Sequence, residues 1–264
     1  MLHSVRSQQV GEPTEIVLVD NGCGPDFAAR VAAVDGPLPV RIVEAHRRAN
    51  ASYARNAGVA AARGRKLLFL DADDELAGGY VAAMTAALDS HRFVAARVDS
   101  VSLNPEWVRR AHGDPWDGVG VYFGFLPATG VNIGIDRELF QQVGGFPEDF
   151  PASQDIVFSW DVHLAGVPAQ LVQDALYRYR YRDSLPGLYR QCRAWGYSNV
   201  MLYCRFREAG MPGRSLRDGL REWRGALSQA ASARGWSDLA VAAARIGYCV
   251  GRFRGSVRHR VRYF

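Results

Sequence analysis

Lys66-Leu-Leu-Phe-Leu-Asp-Ala-Asp-Asp74 is a short apolar run that ends abruptly in three carboxylates. Leu67, Leu68, Phe69 and Leu70 read as a strand buried on both faces, the pattern of a parallel sheet covered by helices. Asp71, Asp73 and Asp74 then fall at its carboxyl end, where open α/β sheets place their ligands. Carboxylates this close repel one another, so a site that keeps them usually offers a compensating cation. All-oxygen ligands suit Mg²⁺ or Mn²⁺, and Mg²⁺ is commonly shared between protein carboxylates and substrate phosphates. The competing reading is a helix start, because Asp is a good N-cap and favours the first turn. The flanking sequence decides between them.

Upstream lies Arg48-Ala-Asn-Ala-Ser-Tyr-Ala-Arg-Asn-Ala-Gly-Val-Ala-Ala-Ala-Arg-Gly64, and ahead of it a second apolar strand, Glu15-Ile-Val-Leu-Val-Asp-Asn-Gly22, again ending in Asp. Downstream come Thr129-Gly-Val-Asn-Ile-Gly-Ile-Asp-Arg-Glu-Leu-Phe-Gln-Gln-Val-Gly-Gly-Phe146 and Ser153-Gln-Asp-Ile-Val-Phe-Ser-Trp160. In order and spacing these segments resemble glycosyltransferase family 2 over about residues 1 to 200. The first three look like its nucleotide-sugar-binding half, the fourth like its acceptor-side segment and the fifth like its catalytic-base segment. The resemblance implies a GT-A, Rossmann-like, mostly parallel sheet with helices on both faces, occupying residues 1–182. A basic helical region would follow over 183–264.

What the resemblance implies for individual residues stands beside simpler readings. Asp20 would hydrogen-bond the nucleotide base, although Asp-Asn-Gly is also strong turn chemistry. Arg55 would present a fixed guanidinium near the nucleotide, or lie on a helix surface. Asn56 would cap or brace a loop. Asp71 would face the ribose. Asp73 would hold the Mn²⁺ or Mg²⁺ that bridges the diphosphate and neutralises the charge growing on the leaving group. Asp74 would cap the following helix. Asp155 would be the general base that takes the acceptor hydroxyl's proton in an inverting transfer; its simpler reading is an N-cap for a helix over Ile156–Leu164. Asn132 and Trp160 would contact the acceptor, the tryptophan being equally at home in the core.

The sequence departs from the family's pattern at several points. Gln154-Asp155 replaces the usual Glu-Asp, which removes a like charge beside the base and would lower its pKa if the two faced one another. Val157 and Asp161 stand where Asp and Arg are usual. The stretch Ala175-Leu-Tyr-Arg-Tyr-Arg-Tyr-Arg182 lacks the His that many relatives place there as a further metal ligand. Arg178 or Arg180 would meet the diphosphate instead, or the Tyr/Arg alternation marks a half-exposed edge strand. The family's first strand has no counterpart, and residues 4–16 look like the segment that comes after its first helix. Loss of a central strand would leave its neighbours' backbone groups unpaired.

The 264-residue chain is long enough for one sizeable α/β core with an appendage. It has no signal-peptide core at its start and no apolar run of about eighteen residues. Its four cysteines are widely spaced, as reduced structural thiols in a cytosolic protein would be. Charge is divided unevenly. Residues 1–177 carry 14 Lys/Arg against 22 Asp/Glu, and residues 178–264 carry 18 Arg against 5. A basic tail suggests an anionic partner surface, and a cytoplasmic location with peripheral attachment at the membrane is expected. No nucleic-acid module is recognisable, so none is expected as partner. In Trp236–Phe264, Leu239, Ala242, Ile246, Val250, Phe253, Val257 and Val261 recur near helical spacing among arginines; this is either a membrane-surface helix or a helix packed on the catalytic part.

The leading expectation is a metal-dependent inverting glycosyltransferase. It would move a sugar from a nucleotide-diphosphate donor, of uridine or deoxythymidine by resemblance, to a hydroxyl on a glycan, lipid carrier or small metabolite. The alternatives are a non-catalytic relative retained as a binding protein and a nucleotidyltransferase. The latter would need a Gly-rich basic loop after its first strand, which the sequence lacks. Residues 104–120 read as a loop-rich stretch, and loop residues such as 104–128 would carry specificity.

Overall fold

The acidic stretch does end a strand, but a short one. The computed structural model describes residues 1–113 and 117–264. Its first half runs α1 (Leu2–Arg6), β1 (Ile16–Asp20), α2 (Phe27–Ala32), β2 (Val40–Glu44), α3 (Ala51–Ala61), β3 (Lys66–Leu68), β4 (Glu75–Leu76) and α4 (Tyr80–Ala87). There follow β5 (Phe93–Asp99), α5 (Glu106–His112), β6 (Val119–Tyr122), β7 (Leu126–Thr129), β8 (Ile133–Asp136), α6 (Arg137–Gln142), α7 (Gln154–Leu164) and β9 (Gln170–Arg178). Three long helices complete it: α8 (Leu185–Phe206), α9 (Leu216–Ala231) and α10 (Trp236–His259).

The α/β class is as the sequence implies, but the pairing is mixed. β3, β8, β5, β9 and β4 form a five-stranded sheet in that order. β5 and β9 run parallel, whereas β3–β8, β5–β8 and β4–β9 are antiparallel. Leu67 and Phe69 are buried on one side of β3, where they pack with Phe140, Phe146 and Phe158. An apolar run reports burial on both faces but not strand direction, which is why the parallel expectation fails for β3. β1 and β2 pair in parallel as a separate two-stranded sheet. Among the described residues β1 and β3 each lack a pairing partner on one edge. α3 lies beside β1, with Gly58 against Val19, and connects the two sheets.

Three local predictions need correction. Residues 104–113 are not irregular, because α5 begins there after Pro105; the Trp116 region lies outside the described residues. β9 is not an edge strand: it sits between β5 and β4, and Tyr177 is 1% exposed. Asp74 caps no helix. α4 begins at Tyr80 after Gly79, which adopts a left-handed conformation that suits glycine.

The boundary near residue 182 falls in the turn between β9 and α8, yet the two parts share a core. Val157 and Trp160 of α7 pack with Val200, Leu202 and Phe206 of α8, and with Tyr263 after α10. Trp160 is fully buried, its indole N–H donates to the Leu126 carbonyl at 3.0 Å, and Phe125 and Phe206 both meet it edge-on at 5.0 Å. The acceptor-contact reading of Trp160 therefore gives way to the core reading. Trp160→Ala should cost about 3–5 kcal/mol in urea unfolding. Trp160→Phe should lose less, and a stability loss as large as that of the alanine variant would show that the indole N–H bond to Leu126, rather than ring packing, carries the effect.

α8 and α10 pack with their backbones nearly touching. A Cβ at Gly251 would come 2.1 Å from the Arg193 carbonyl oxygen, and one at Gly196 2.3 Å from that of Tyr248. Only glycine allows that approach. The face of α10 that meets α8 is thus made of small residues, including Ala240, Ala244, Gly247 and Gly251, and the larger apolar stripe noted in the sequence is not part of it.

Candidate functional site

β3 and α3 bring the first cluster together. Asn50 caps α3, its side chain accepting the Tyr53 N–H at 2.9 Å. Asn21, just beyond β1, accepts the Asn50 N–H at 3.0 Å and so fixes the start of α3 to the end of β1. One turn later Arg55 reaches Asp71, with guanidinium nitrogen and carboxylate oxygen 2.7 Å apart. The guanidinium also lies over the Phe146 ring, 5.2 Å from its centroid. Asn56 grips the Phe146 backbone from both ends of its amide: Nδ2 donates to the carbonyl at 2.9 Å, and Oδ1 accepts the N–H at 3.0 Å. Of the two readings for Asn56, bracing a loop is the one found.

Asp71, Asp73 and Asp74 offer carboxylate oxygens that all lie within 4.8 Å of one another. They do not play equal parts. Asp74 is buried and accepts the Tyr177 hydroxyl at 2.7 Å and the Arg180 backbone N–H at 2.6 Å. The same Tyr177 oxygen accepts the Asp71 N–H at 3.0 Å. Burial, opposed by these two hydrogen bonds, pushes the Asp74 carboxyl up to about 7. Asp73 is half-open to solvent and pairs with Arg182 at 3.1 Å. Arg180 pairs with Glu75 at 3.2 Å and donates through Nε to the Asp73 carbonyl at 3.0 Å. The arginine beside the acidic cluster's open carboxylate is thus Arg182, rather than Arg178 or Arg180. An all-carboxylate donor set with two part-exposed members, Asp71 and Asp73, fits a hard divalent cation such as Mn²⁺ or Mg²⁺.

Asp155 lies in the first turn of α7. The N-cap position belongs to Ser153, whose φ of 60° is left-handed and whose side chain makes no capping bond. Asp155 Oδ1 instead accepts the N–H of its neighbour Ile156 at 2.9 Å. The cap reading therefore fails, and Asp155 instead lines a cavity. Burial raises the Asp155 pKa, Arg55 opposes that rise and Asp71 adds to it. Arg55 is thus paired with Asp71 and acts on Asp155 only through its charge, without an ion pair to it.

Both carboxylates line a cavity of about 730 Å³. Asn132 lines it as well. Asn132 is 1% exposed; its Nδ2 donates to the Ala96 carbonyl, while its Oδ1 is buried without a partner among the described residues. A buried amide oxygen left unpaired costs free energy until a ligand hydroxyl satisfies it. Asp20 is not part of this wall. Its Oδ1 accepts the Gly22 and Cys23 N–H groups at 3.0 and 2.8 Å, and its Oδ2 lies 3.2 Å from His46. The Cys23 N–H, with help from His46, holds its carboxyl below the usual range. The turn chemistry of Asp-Asn-Gly is realised, with Asp20 at the carboxyl end of β1.

Much of the cavity wall was not legible in the sequence. Tyr179 is half-buried near Asp71, Asp74 and Asp155, and desolvation with those charges raises its hydroxyl well above the usual range. Tyr181 stacks on His112 at 3.8 Å, and Trp195 meets the same imidazole edge-on at 5.6 Å. Tyr248, Arg245 and Arg252 close the far side from α10. The Tyr/Arg alternation over 175–182 was the available signal, but it fitted an edge strand equally well.

Burial lowers the His112 pKa to about 4, so the imidazole is neutral near pH 7. Its folded pKa lies below the ordinary value of about 6.5, so between those two values the unfolded chain binds the extra proton. Stability should therefore fall as pH drops from about 6.5 toward 4, by at most about 3 kcal/mol from this group. His112→Phe keeps a ring against Tyr181 and should flatten that slope in urea titrations at pH 5 and pH 7. An unchanged slope would assign it to other groups.

The profile of glycosyl transferase family 2 matches residues 1–144. The chain belongs to that family. The match takes in β1, α3, the acidic cluster and Asn132, and ends before Asp155. Among curated relatives, the uncharacterized glycosyltransferase YibD of Escherichia coli (strain K12) is 27% identical over 202 residues, which is 67% of this chain and 56% of that protein. The succinoglycan biosynthesis protein ExoO of Rhizobium meliloti (strain 1021) is 34% identical over 103 residues, 38% of this chain and 29% of that protein. The chain thus spans about half or less of the length of these relatives. Among solved structures, the mannosyltransferase PcManGT of Pyrobaculum calidifontis, in complex with GDP-Man and Mn²⁺, superposes with a TM-score of 0.59 at 16% identity, covering 94% of this chain and 85% of that one. Staphylococcal TarS 1–349 superposes with a TM-score of 0.55 at 17% identity, covering 98% of this chain and 87% of that one. These likenesses identify the GT-A fold of this family 2 member.

Proposed function

We propose that this family 2 chain is a metal-dependent, inverting glycosyltransferase acting on a nucleoside-diphosphate sugar. The observation that carries the reading is the presence of Asp71 and Asp155 in the wall of one cavity, with Asp71 also belonging to the Asp71–Asp73–Asp74 cluster.

In this reading Asp71 orients the donor and Asp73 is the open ligand for Mn²⁺ or Mg²⁺. A bound divalent cation would neutralise charge on the diphosphate leaving group. Asp155 takes the proton from the acceptor hydroxyl as that oxygen forms a bond to the anomeric carbon. The bond from that carbon to the donor's phosphate oxygen breaks, and the electron pair leaves with the nucleoside diphosphate. A raised pKa suits Asp155 to this task, since a base working near neutral pH is most effective with its pKa near that pH. Asn132 Oδ1 accepts a hydrogen bond from an acceptor or donor hydroxyl. Tyr177 is a positioning residue that holds the Asp71 backbone against Asp74. Asp20, at the end of β1, is the base-recognition residue once its turn is met by a nucleotide. PcManGT binding GDP-Man with Mn²⁺, and TarS binding UDP-GlcNAc, support a donor of this chemical class.

One observation favours the alternative of a non-catalytic binding protein. Arg182 already sits on Asp73, where a cation would have to displace it. Titration with nucleoside diphosphates in the presence and absence of Mn²⁺ tests binding, and release of nucleoside diphosphate from a panel of donor sugars tests turnover. Metal-dependent binding with turnover is expected. Binding without release from any donor would establish the non-catalytic alternative, and no binding at all would sink both.

A further inference from the structure

α9 and α10 form a hairpin joined by residues 232–235. Their contacts run in opposite order: Gly219 against Phe264, Glu222 paired with Arg252, and Gly225 facing Arg245. The pair is therefore antiparallel. α9 turns Gly219, Glu222 and Ala226 toward this contact, and α10 turns Arg245, Cys249 and Arg252.

Each helix carries a second apolar face. On α9 it is Leu216, Leu220, Trp223 and Leu227; on α10 it is Leu239, Ile246, Val250, Phe253 and Val257. At 3.6 residues per turn, each stripe lies roughly a quarter turn from the contact face, in the same rotational sense. In an antiparallel pair, equal offsets of the same sense point both stripes to one side of the hairpin. Leu216, Leu220, Leu227, Phe253 and Val257 are all more than 50% exposed. Large apolar side chains are rarely gathered in the open without a partner.

The rim of this face is basic. Arg217, Arg221 and Arg224 follow the outer edge of α9, and Arg254 and Arg258 that of α10; all are exposed. The acidic side chains of the two helices are already engaged: Asp218 by Arg221, Glu222 by Arg214 and Arg252, and Asp238 by Arg110. Among the described residues, Arg217, Arg224, Arg254 and Arg258 take part in no salt bridge. An apolar centre between rows of uncompensated arginine complements a surface with a greasy interior and an anionic skin. It does not complement itself, because two copies placed face to face would bring arginine rows together.

We infer that the α9–α10 hairpin docks the protein on an anionic lipid bilayer, with its leucines and Phe253 inserted at the headgroup level and its arginines among the lipid phosphates. No helix among the described residues is long and apolar enough to cross a membrane. The attachment is therefore to the surface. The same hairpin supplies Arg245, Tyr248 and Arg252 to the cavity wall, so docking sets the cavity beside the bilayer. The inference stands apart from the reading of the catalytic site, because vesicle binding can be measured without any transfer.

The test is sedimentation of the full chain with vesicles of phosphatidylcholine alone or of equimolar phosphatidylcholine and phosphatidylglycerol. The parent should sediment with the mixed vesicles only, and less as salt shortens the screening length from about 10 Å at 0.1 M to about 3 Å at 1 M. Leu220→Glu/Leu227→Glu/Phe253→Glu/Val257→Glu should weaken binding by about tenfold or more. Arg217→Gln/Arg224→Gln/Arg254→Gln/Arg258→Gln should do the same, as charge attraction near the surface contributes per arginine. All these side chains are on the surface, and the milder glutamine variant provides the reading should the glutamate variant not fold. Three results would overturn the proposal: a parent that binds neither vesicle, a folded glutamate variant that binds like the parent, or a parent dimer in free solution that the glutamate variant splits.

Discussion

Asp155→Asn is expected to cut glycosyl transfer by about 10²–10⁴-fold while leaving donor and cation affinity within a few-fold of the parent. Asparagine is nearly the same size, and its amide oxygen can still accept the Ile156 N–H as Asp155 Oδ1 does. It cannot take a proton from an acceptor hydroxyl near neutral pH. The pH profile gives a second readout. Burial raises the Asp155 pKa, so parental turnover should climb with pH through that raised value as the base form appears. The variant should lack this limb. Binding is read by titration with a nucleoside diphosphate and Mn²⁺, and transfer at saturating donor with a competent acceptor. Parent-like turnover would move the base elsewhere. Glu148 is a poor substitute, because Asn56 and Arg48 already hold it. The remaining carboxylate of the cavity wall is Glu222, itself gripped by Arg214 and Arg252.

The contrast between Asp71 and Asp74 shows how far sequence reasoning reached. A strand ending in carboxylates, a capped helix carrying Arg55 and a second strand ending in Asp20 are local patterns, and each was found where its pattern lay. Asp74 looked equally local, and its partner was not. Tyr177 is 103 residues away, and only the folding of β9 beside β4 brings it to the carboxylate. Asp155 was illegible as a non-cap, because the left-handed turn at Ser153 moves the helix start two positions earlier than expected. Trp160 shows the limit of residue type, since its composition suited the acceptor wall and the core alike. Three-dimensional neighbours, here Leu126, Phe125 and Phe206, decided for the core.

α10 shows the same limit at the scale of a helix. Its stripe of Leu239, Ile246, Val250, Phe253 and Val257 has the spacing of a buried face. The small residues between them also form a face, and van der Waals contact rewards that face when the opposing helix can approach to backbone distance. α8 does so at Gly196, Gly247 and Gly251. The larger stripe is then left outward. Periodicity marks two faces of such a helix, and only the shape of the partner selects between them.

Asp73→Asn should weaken Mn²⁺-dependent nucleoside-diphosphate binding by about 100-fold or more, since even residues behind a metal's ligands alter affinity by about 10–100-fold. The substitution removes the most exposed carboxylate of the cluster; Asp74 is buried under Tyr177 and Arg180, and Asp71, although part-exposed, is held by Arg55. Thermal unfolding should change little, because the Arg182–Asp73 pair is an exposed one of small net value. Arg182 supplies the internal control. If it competes with the cation for Asp73, Arg182→Ala should tighten Mn²⁺ binding when Asp73 is present and have no such effect in the Asp73→Asn background. That non-additivity would couple the two residues through one site. Should Arg182 instead hold the diphosphate, Arg182→Ala would weaken nucleotide binding with or without Mn²⁺. Calorimetry of Mn²⁺ and nucleotide across the four proteins separates these outcomes. Metal-dependent affinity unchanged in Asp73→Asn would remove Asp73 from the cation site, leaving Asp71 as the carboxylate to test next.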